Sequence, residues 1–253
     1  MKRIAVFLFA AFAALVTWAL PSLAQAGDDR AGILILGDSN SEGPFGLTLY
    51  DALRSMRDPV GGKKLNVAIY AKCGAGARDW INRDYAKIIC TAWECSNDRI
   101  LAECEHFNGG ETPTLQELYD NLDAARKVTL VALGLNMLGY GSDIHMDEAA
   151  QLIAAIKKAG SACVWVGPPQ AGAKFFPLIG QARFLAALKD TVIKNGCQFI
   201  DSTDKTDRAD IPEKEDHYPE DKAIAWANKV LEELRNPLTP GDRSLNQLLG
   251  AKR

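Results

Sequence analysis

Ser39, Gly74, Asn136 and His217 are residue types that can share the work of acyl transfer. A serine hydroxyl becomes a nucleophile when a base within hydrogen-bond reach takes its proton. A neutral imidazole, with a reference pKa of about 6.5, is such a base near neutral pH. The tetrahedral intermediate that follows carries an oxyanion, which needs donors aimed at it. The backbone N–H groups of Ser39 and Gly74 and the side-chain amide of Asn136 are three candidates. Glycine suits a place where backbone must come close to a reacting centre. Each residue also has an ordinary structural use. A serine caps helices, glycine and asparagine make turns, and a histidine before Tyr-Pro commonly sits at the surface. The case therefore rests on where the four stand in the fold.

Short aliphatic runs alternate with amphipathic stretches along the chain. Gly32–Leu36, Asn66–Lys72, Lys127–Leu135, Ala162–Val166 and Cys197–Ile200 read as strands. Leu47–Met56, Met146–Ala159, Phe175–Lys194 and Glu220–Leu234 read as helices. In the last of these Ala223, Trp226, Ala227, Val230, Leu231 and Leu234 recur at i, i+3, i+4 spacing, a core-facing stripe. Strands alternating with helices predict a parallel sheet covered on both faces. Nearly continuous apolar strands agree with that burial. In such sheets ligands sit outside the carboxyl ends of the strands. Gly37-Asp38-Ser39 follows the first strand and Cys73-Gly74-Ala75-Gly76 the second. Asn136 follows the third, and His217 comes after the fifth, just before the last helix. All four places gather at one edge. Residues 75–126, between the second and third strands, read as an insertion with a helix or two and its own disulfide staples. The stretch 237–253 reads as a polar, poorly ordered tail.

Lys2 and Arg3 precede an apolar run from Ile4 to Leu20, followed by Pro21 and by Ala24-Gln25-Ala26. This is the pattern of a secretory signal peptide over residues 1–26. Its removal takes away two basic residues and no acids, so the net charge of −3 becomes −5 for residues 27–253. An acidic surface does not suit a nucleic-acid partner, which needs a basic stripe. No second long apolar run exists, so no stable membrane insertion is expected after cleavage. The expected location is exported, periplasmic or extracellular. The 6 cysteines all lie beyond the signal, and an even count in an exported chain suggests up to three disulfides. There is no C-x-x-C, and the three histidines show no ligand spacing, so no metal site is expected. Nothing in the sequence sets the oligomeric state.

The sequence "GDSNSEG" at positions 37–43 resembles the first conserved block of the GDSL-type, or SGNH, hydrolases. Gly74 resembles their second block, with Gly76 as its rival. Asn136 in Gly-Leu-Asn resembles the third, and His217 the last. The resemblance runs from about Ile33 to Val230. It implies a three-layer α/β, flavodoxin-like fold with a parallel sheet of about five strands over residues 27–236. It also implies a serine esterase that needs no cofactor, with Ser39 and His217 catalytic and Ser39, Gly74 and Asn136 forming the oxyanion hole. It places the fourth and fifth strands side by side, and each has a cysteine at or next to its first residue. Equivalent starts of adjacent strands lie ~4.8 Å apart, so Cys163 and Cys197 are expected to be bridged. Cys73 with Cys90 and Cys95 with Cys104 is the companion pairing.

Two positions depart from the family pattern. Met137 stands where an aspartate commonly follows the block-three asparagine. Lys214 stands three residues before the histidine, where the family usually has an aspartate, and a lysine cannot accept a hydrogen bond from imidazole. Glu213, Asp216, Asp210 or a backbone carbonyl remain open as the partner of His217. The expected function is an exported esterase acting on O-acyl groups, acetyl among them, of an envelope or extracellular carbohydrate. The substrate is thus a small-molecule or glycan ester. A lipid acylhydrolase of the lysophospholipase or thioesterase kind, and a binding protein on a decayed hydrolase scaffold, are the alternatives.

Overall fold

The computed structural model describes residues 30–82, 87–88, 90–96, 104–139, 142–172, 178–212 and 217–250. The signal peptide expected over 1–26 lies outside the described residues, as do Glu213 and Asp216.

The aliphatic run in β1 (Ala31–Gly37) is buried along its whole length. Successive side chains of a strand point to opposite faces. Ile33 and Ile35 accordingly enter one core, and Leu34 and Leu36 the other. The first core is closed by α2 (Pro44–Arg54), α6 (Glu220–Arg235) and α7 (Leu245–Gly250). The second is closed by α3 (Leu115–Leu122), α4 (Ser142–Lys158) and α5 (Leu178–Lys194). The result is three layers, helices over sheet over helices.

β1 pairs in parallel with β2 (Asn66–Lys72) on one side and β5 (Arg126–Ala132) on the other. Beyond β5 come β6 (Ser161–Val166) and β7 (Gln198–Ile200), also parallel. The order of these five strands is the flavodoxin-like one, in which the chain reverses direction beside the first strand. In register, Gly37 stands opposite Ala71 of β2 and Ala132 of β5, so three strands end level with one another.

The sheet has seven strands rather than about five. The two extra strands, β3 (Ala92–Ser96) and β4 (Glu105–Phe107), come from the insertion and pair antiparallel beyond β2. The insertion thus contributes strands as well as α3. The tail needs a second correction. α7 buries Leu245, Leu248 and Leu249 in the first core, so the C-terminal stretch is part of the fold. Arg126 holds this corner, donating to the Leu249 carbonyl and pairing with buried Asp58 at 2.6 Å.

Disulfides join Cys73 to Cys90, Cys95 to Cys104 and Cys163 to Cys197. The third links the residues just ahead of the paired segments of β6 and β7, with Cα atoms 4.8 Å apart. It closes a loop of 34 residues that contains α5. Loop-closure entropy for that length corresponds to about 4 kcal/mol. The Cys163→Ser/Cys197→Ser protein is expected to melt about 10 °C below the parent in a calorimetric scan.

Candidate active site

The turn after β1 is forced by packing. A Cβ on Gly37 would lie 2.2 Å from the Ser41 side chain, so only glycine lets the strand end against the short helix α1 (Ser39–Glu42). Asp38 is the N-cap of α1, its Oδ1 accepting from the Asn40 N–H at 3.0 Å and from the Asn40 amide at 3.3 Å. Ser39 is thereby the first residue of α1, at the carboxyl end of the central strand.

His217 reaches Ser39 from the other side of the first core. Its Nε2 lies 2.9 Å from Ser39 Oγ, although the two residues are 178 positions apart in sequence. The next residue, Tyr218, is buried and donates its hydroxyl to the Gln170 carbonyl at 2.8 Å. Pro219 then caps α6. α6 packs on α2 through Phe45 and Trp226, stacked with ring centroids 3.6 Å apart. The Trp226 indole N–H donates to Ser202 just past β7. Stacking and hydrogen bond together fix α6, and with it the histidine.

Asn136 begins a 3₁₀ turn past β5, and its Nδ2 donates to the Ala75 carbonyl at 3.2 Å. A primary amide carries two N–H groups. One is spent on Ala75, which orients the amide, and the other remains for a ligand. Met137, where the family commonly has aspartate, is buried in the second core and packs beside Gly76.

The loop after β2 is held by a buried ion pair. Lys72, 2 % exposed, meets Asp79 Oδ1 at 2.6 Å, and Asp79 Oδ2 accepts the Gly76 N–H at 2.8 Å. Gly76 therefore has its N–H engaged. Gly74 sits at φ +75°, a left-handed conformation that glycine adopts without penalty. Its neighbours Cys73 and Ala75 donate to the Thr91 and Lys72 carbonyls, and its own N–H takes part in neither bond.

The four residues read from the sequence thus fall into two contacting groups. Ser39 touches His217, and Asn136 touches the loop that carries Gly74, on three strands that end in register. Asp210 is directed elsewhere, paired with Lys222 at 2.8 Å. Three contributors, Lys72, Asp79 and Asp38, have no role in the sequence reading. Lys72 was a lone charge ending an apolar strand, which ought to seek a partner, and Asp79 lies one short turn on. Asp38 stands next to the serine in sequence. It is 3 % exposed, and burial pushes its pKa up to about 6, against the lowering effect of the Asn40 bonds and of the nearby His217. Among the described residues no group of three or more His, Cys, Asp or Glu side chains is placed to hold a metal ion.

The arrangement offers a general base on a serine hydroxyl, a buried carboxyl group beside that pair, and amide donors at neighbouring strand ends. It can activate the serine for attack on a carbonyl carbon and bind the oxygen that becomes negative.

Asp38 makes stability depend on pH. Its folded pKa of about 6 exceeds the unfolded value of 3.8, so the native state holds a proton that the unfolded chain has released. The stabilisation is complete below about pH 4 and is lost as pH rises through about 6, an effect on the order of 3 kcal/mol. Urea denaturation of Asp38→Asn should show the variant gaining on the parent from pH 4 to pH 7. The Lys72–Asp79 pair behaves differently. Asp79→Ala takes away the carboxylate that faces the buried Lys72 ammonium, at an expected cost of about 3 kcal/mol, whereas Lys72→Met/Asp79→Leu recovers most of that loss in the same assay.

No protein-family model matches the chain, and no curated protein matches it in sequence. Solved structures do match. The carbohydrate acetylesterase Est24 from Sinorhizobium meliloti superposes with a TM-score of 0.53 at 11% identity, over 81% of this chain and 98% of that one. A second carbohydrate acetylesterase family member from the same organism gives 0.52 at 16%, over 81% and 97%. An SGNH hydrolase assignment from Slackia heliotrinireducens gives 0.51 at 16%, over 80% and 98%. These likenesses span nearly the whole of each neighbour, and the chain has the SGNH hydrolase fold.

Proposed function

We propose that the protein is a serine esterase that removes O-acyl groups, acetyl among them, from a carbohydrate, working outside the cytoplasm. The observation that carries the reading is the 2.9 Å contact of His217 Nε2 with Ser39 Oγ at the end of the central strand. The acetyl and carbohydrate parts follow the neighbours described as carbohydrate acetylesterases. The three disulfides support an oxidising compartment. The presence of both Ser39 and His217 in bonding position favours an enzyme over a binding protein on a decayed scaffold.

In this mechanism His217 Nε2 takes the Ser39 hydroxyl proton as Oγ attacks the ester carbonyl carbon. The oxyanion is met by the N–H groups of Ser39 and Gly74 and by the second N–H of Asn136. Collapse of the intermediate breaks the bond to the alcohol, which leaves with the proton from His217. Water then repeats the sequence on the acyl-serine, releasing the acid and restoring the serine. Asp38, buried beside the pair, favours the imidazolium while its carboxylate is charged. That assistance is half present at about pH 6 and nears completion about one pH unit higher.

p-Nitrophenyl acetate tests the reading, since its leaving group makes no demand on a glycan site. Ser39→Ala and His217→Ala should each lower turnover by roughly 10⁴ or more, with the fold intact by circular dichroism. Asn136→Ala should lower kcat by about 10²–10³ with KM little changed. Near-parental turnover in Ser39→Ala would sink the assignment.

A further inference from the structure

A cavity of about 610 Å³ is lined by residues of β2, β3, β4 and α3 and has no part in the chemistry described above. Its volume is in the range of small-ligand pockets. Ala71 in its wall is the register partner of Gly37, two residues before Ser39, and Ala92 in its wall pairs with Lys72. α1 packs against both β2 and β3, and its Glu42 accepts the Thr91 hydroxyl at 2.5 Å. The cavity therefore reaches the edge where the parallel strands end, one strand over from the turn that carries Ser39. The disulfides Cys73–Cys90 and Cys95–Cys104 staple the same segments, so the walls are held before any ligand arrives.

The lining has a definite chemistry. Tyr70, Trp80 and Trp93 contribute aromatic surface. Glu94 and Asp120 contribute carboxylates, Glu111 and the Thr114-bonded Glu117 lie alongside them, and among the described residues no lysine or arginine lines the cavity. Glu94 Oε1 accepts from the Tyr70 hydroxyl at 2.7 Å, which orients a carboxylate whose second oxygen can accept from a ligand. Hydroxyl and ammonium groups suit such a wall, and acidic sugars are repelled by it.

We infer that this cavity is the leaving-alcohol subsite and that it takes an amine-bearing sugar of the acylated glycan in preference to a uronate. The inference rests on the esterase reading for its role, but its binding can be measured without catalysis. Titration calorimetry at pH 6 would compare tetramers of glucosamine, xylose and galacturonic acid. The glucosamine tetramer should bind tightest and weaken with added salt, and the galacturonate should bind least. Glu94→Gln/Asp120→Asn should lose about ten-fold for glucosamine and little for xylose, as removal of two exposed charge contacts predicts. Melting of the double variant is followed in parallel, and its p-nitrophenyl acetate turnover should stay at the parental level. Absence of glucosamine binding, equal binding of galacturonate, or glucosamine affinity unchanged in the double variant would overturn the subsite. Parental failure on p-nitrophenyl acetate, with glucosamine still bound, would instead remove the esterase reading and leave the sugar site standing.

Discussion

The stacking of Phe45 on Trp226 is the contact on which the geometry of the site most depends. Ser39 is fixed from the β1 side, through Gly37, the Asp38 cap and the α1–α2 corner. His217 is fixed from the α6 side. Nothing local joins the two, since 178 positions separate them. The aromatic pair joins α2 to α6 inside the first core, where both rings are nearly fully buried. Such a pair contributes about 0.5–1.5 kcal/mol beyond its area burial. Its larger effect is directional, because close-packed interiors transmit small displacements. A shift of α6 along α2 would separate a hydroxyl and an imidazole that must stay within hydrogen-bond reach.

The donor side of the site is held by charge rather than by rings. Lys72 and Asp79 are buried together behind the loop after β2. A buried pair is a poor source of net stability, because desolvation offsets most of the attraction. It does restrict conformation, since each charge tolerates only geometries that keep its partner. Asp79 uses its second oxygen on Gly76, and Asn136 grips the Ala75 carbonyl from the β5 side. The loop is thus set from two directions, and the Gly74 N–H is left out of the bonds made by its neighbours.

What the sequence made legible follows from how local each signal is. The five parallel strands were readable because burial on both faces demands nearly unbroken apolar runs. The elbow at Ser39 was readable because Gly37, Asp38 and Ser39 meet a local need. β3 and β4 were not. They are short, carry charged residues such as Glu94 and Glu105, and take strand form only by pairing beyond β2. α7 was hidden for a related reason. Leu245, Leu248 and Leu249 have helical spacing, but six residues among polar neighbours show a helix only once a core receives them. The contacts of Asp79 and the raised pKa of Asp38 arise from tertiary burial, which no spacing encodes.

Fold and substrate choice are separable here, and the separation says where to look for each. The neighbours share the fold at 11–16% identity, so the sheet order survives almost complete replacement of its side chains. A sheet of this kind dictates only that strand ends meet at one edge. Chemistry enters through the few residues at those ends, and selectivity through whatever walls are built beside them. In this chain the walls come from the insertion, whose two strands extend the sheet on the β2 side and whose disulfides tie it down. A stapled extension can change its surface residues without disturbing β1, β5 or the α2–α6 contact. The same construction that makes β3 and β4 hard to read from sequence therefore leaves them free to set what the neighbouring serine is offered.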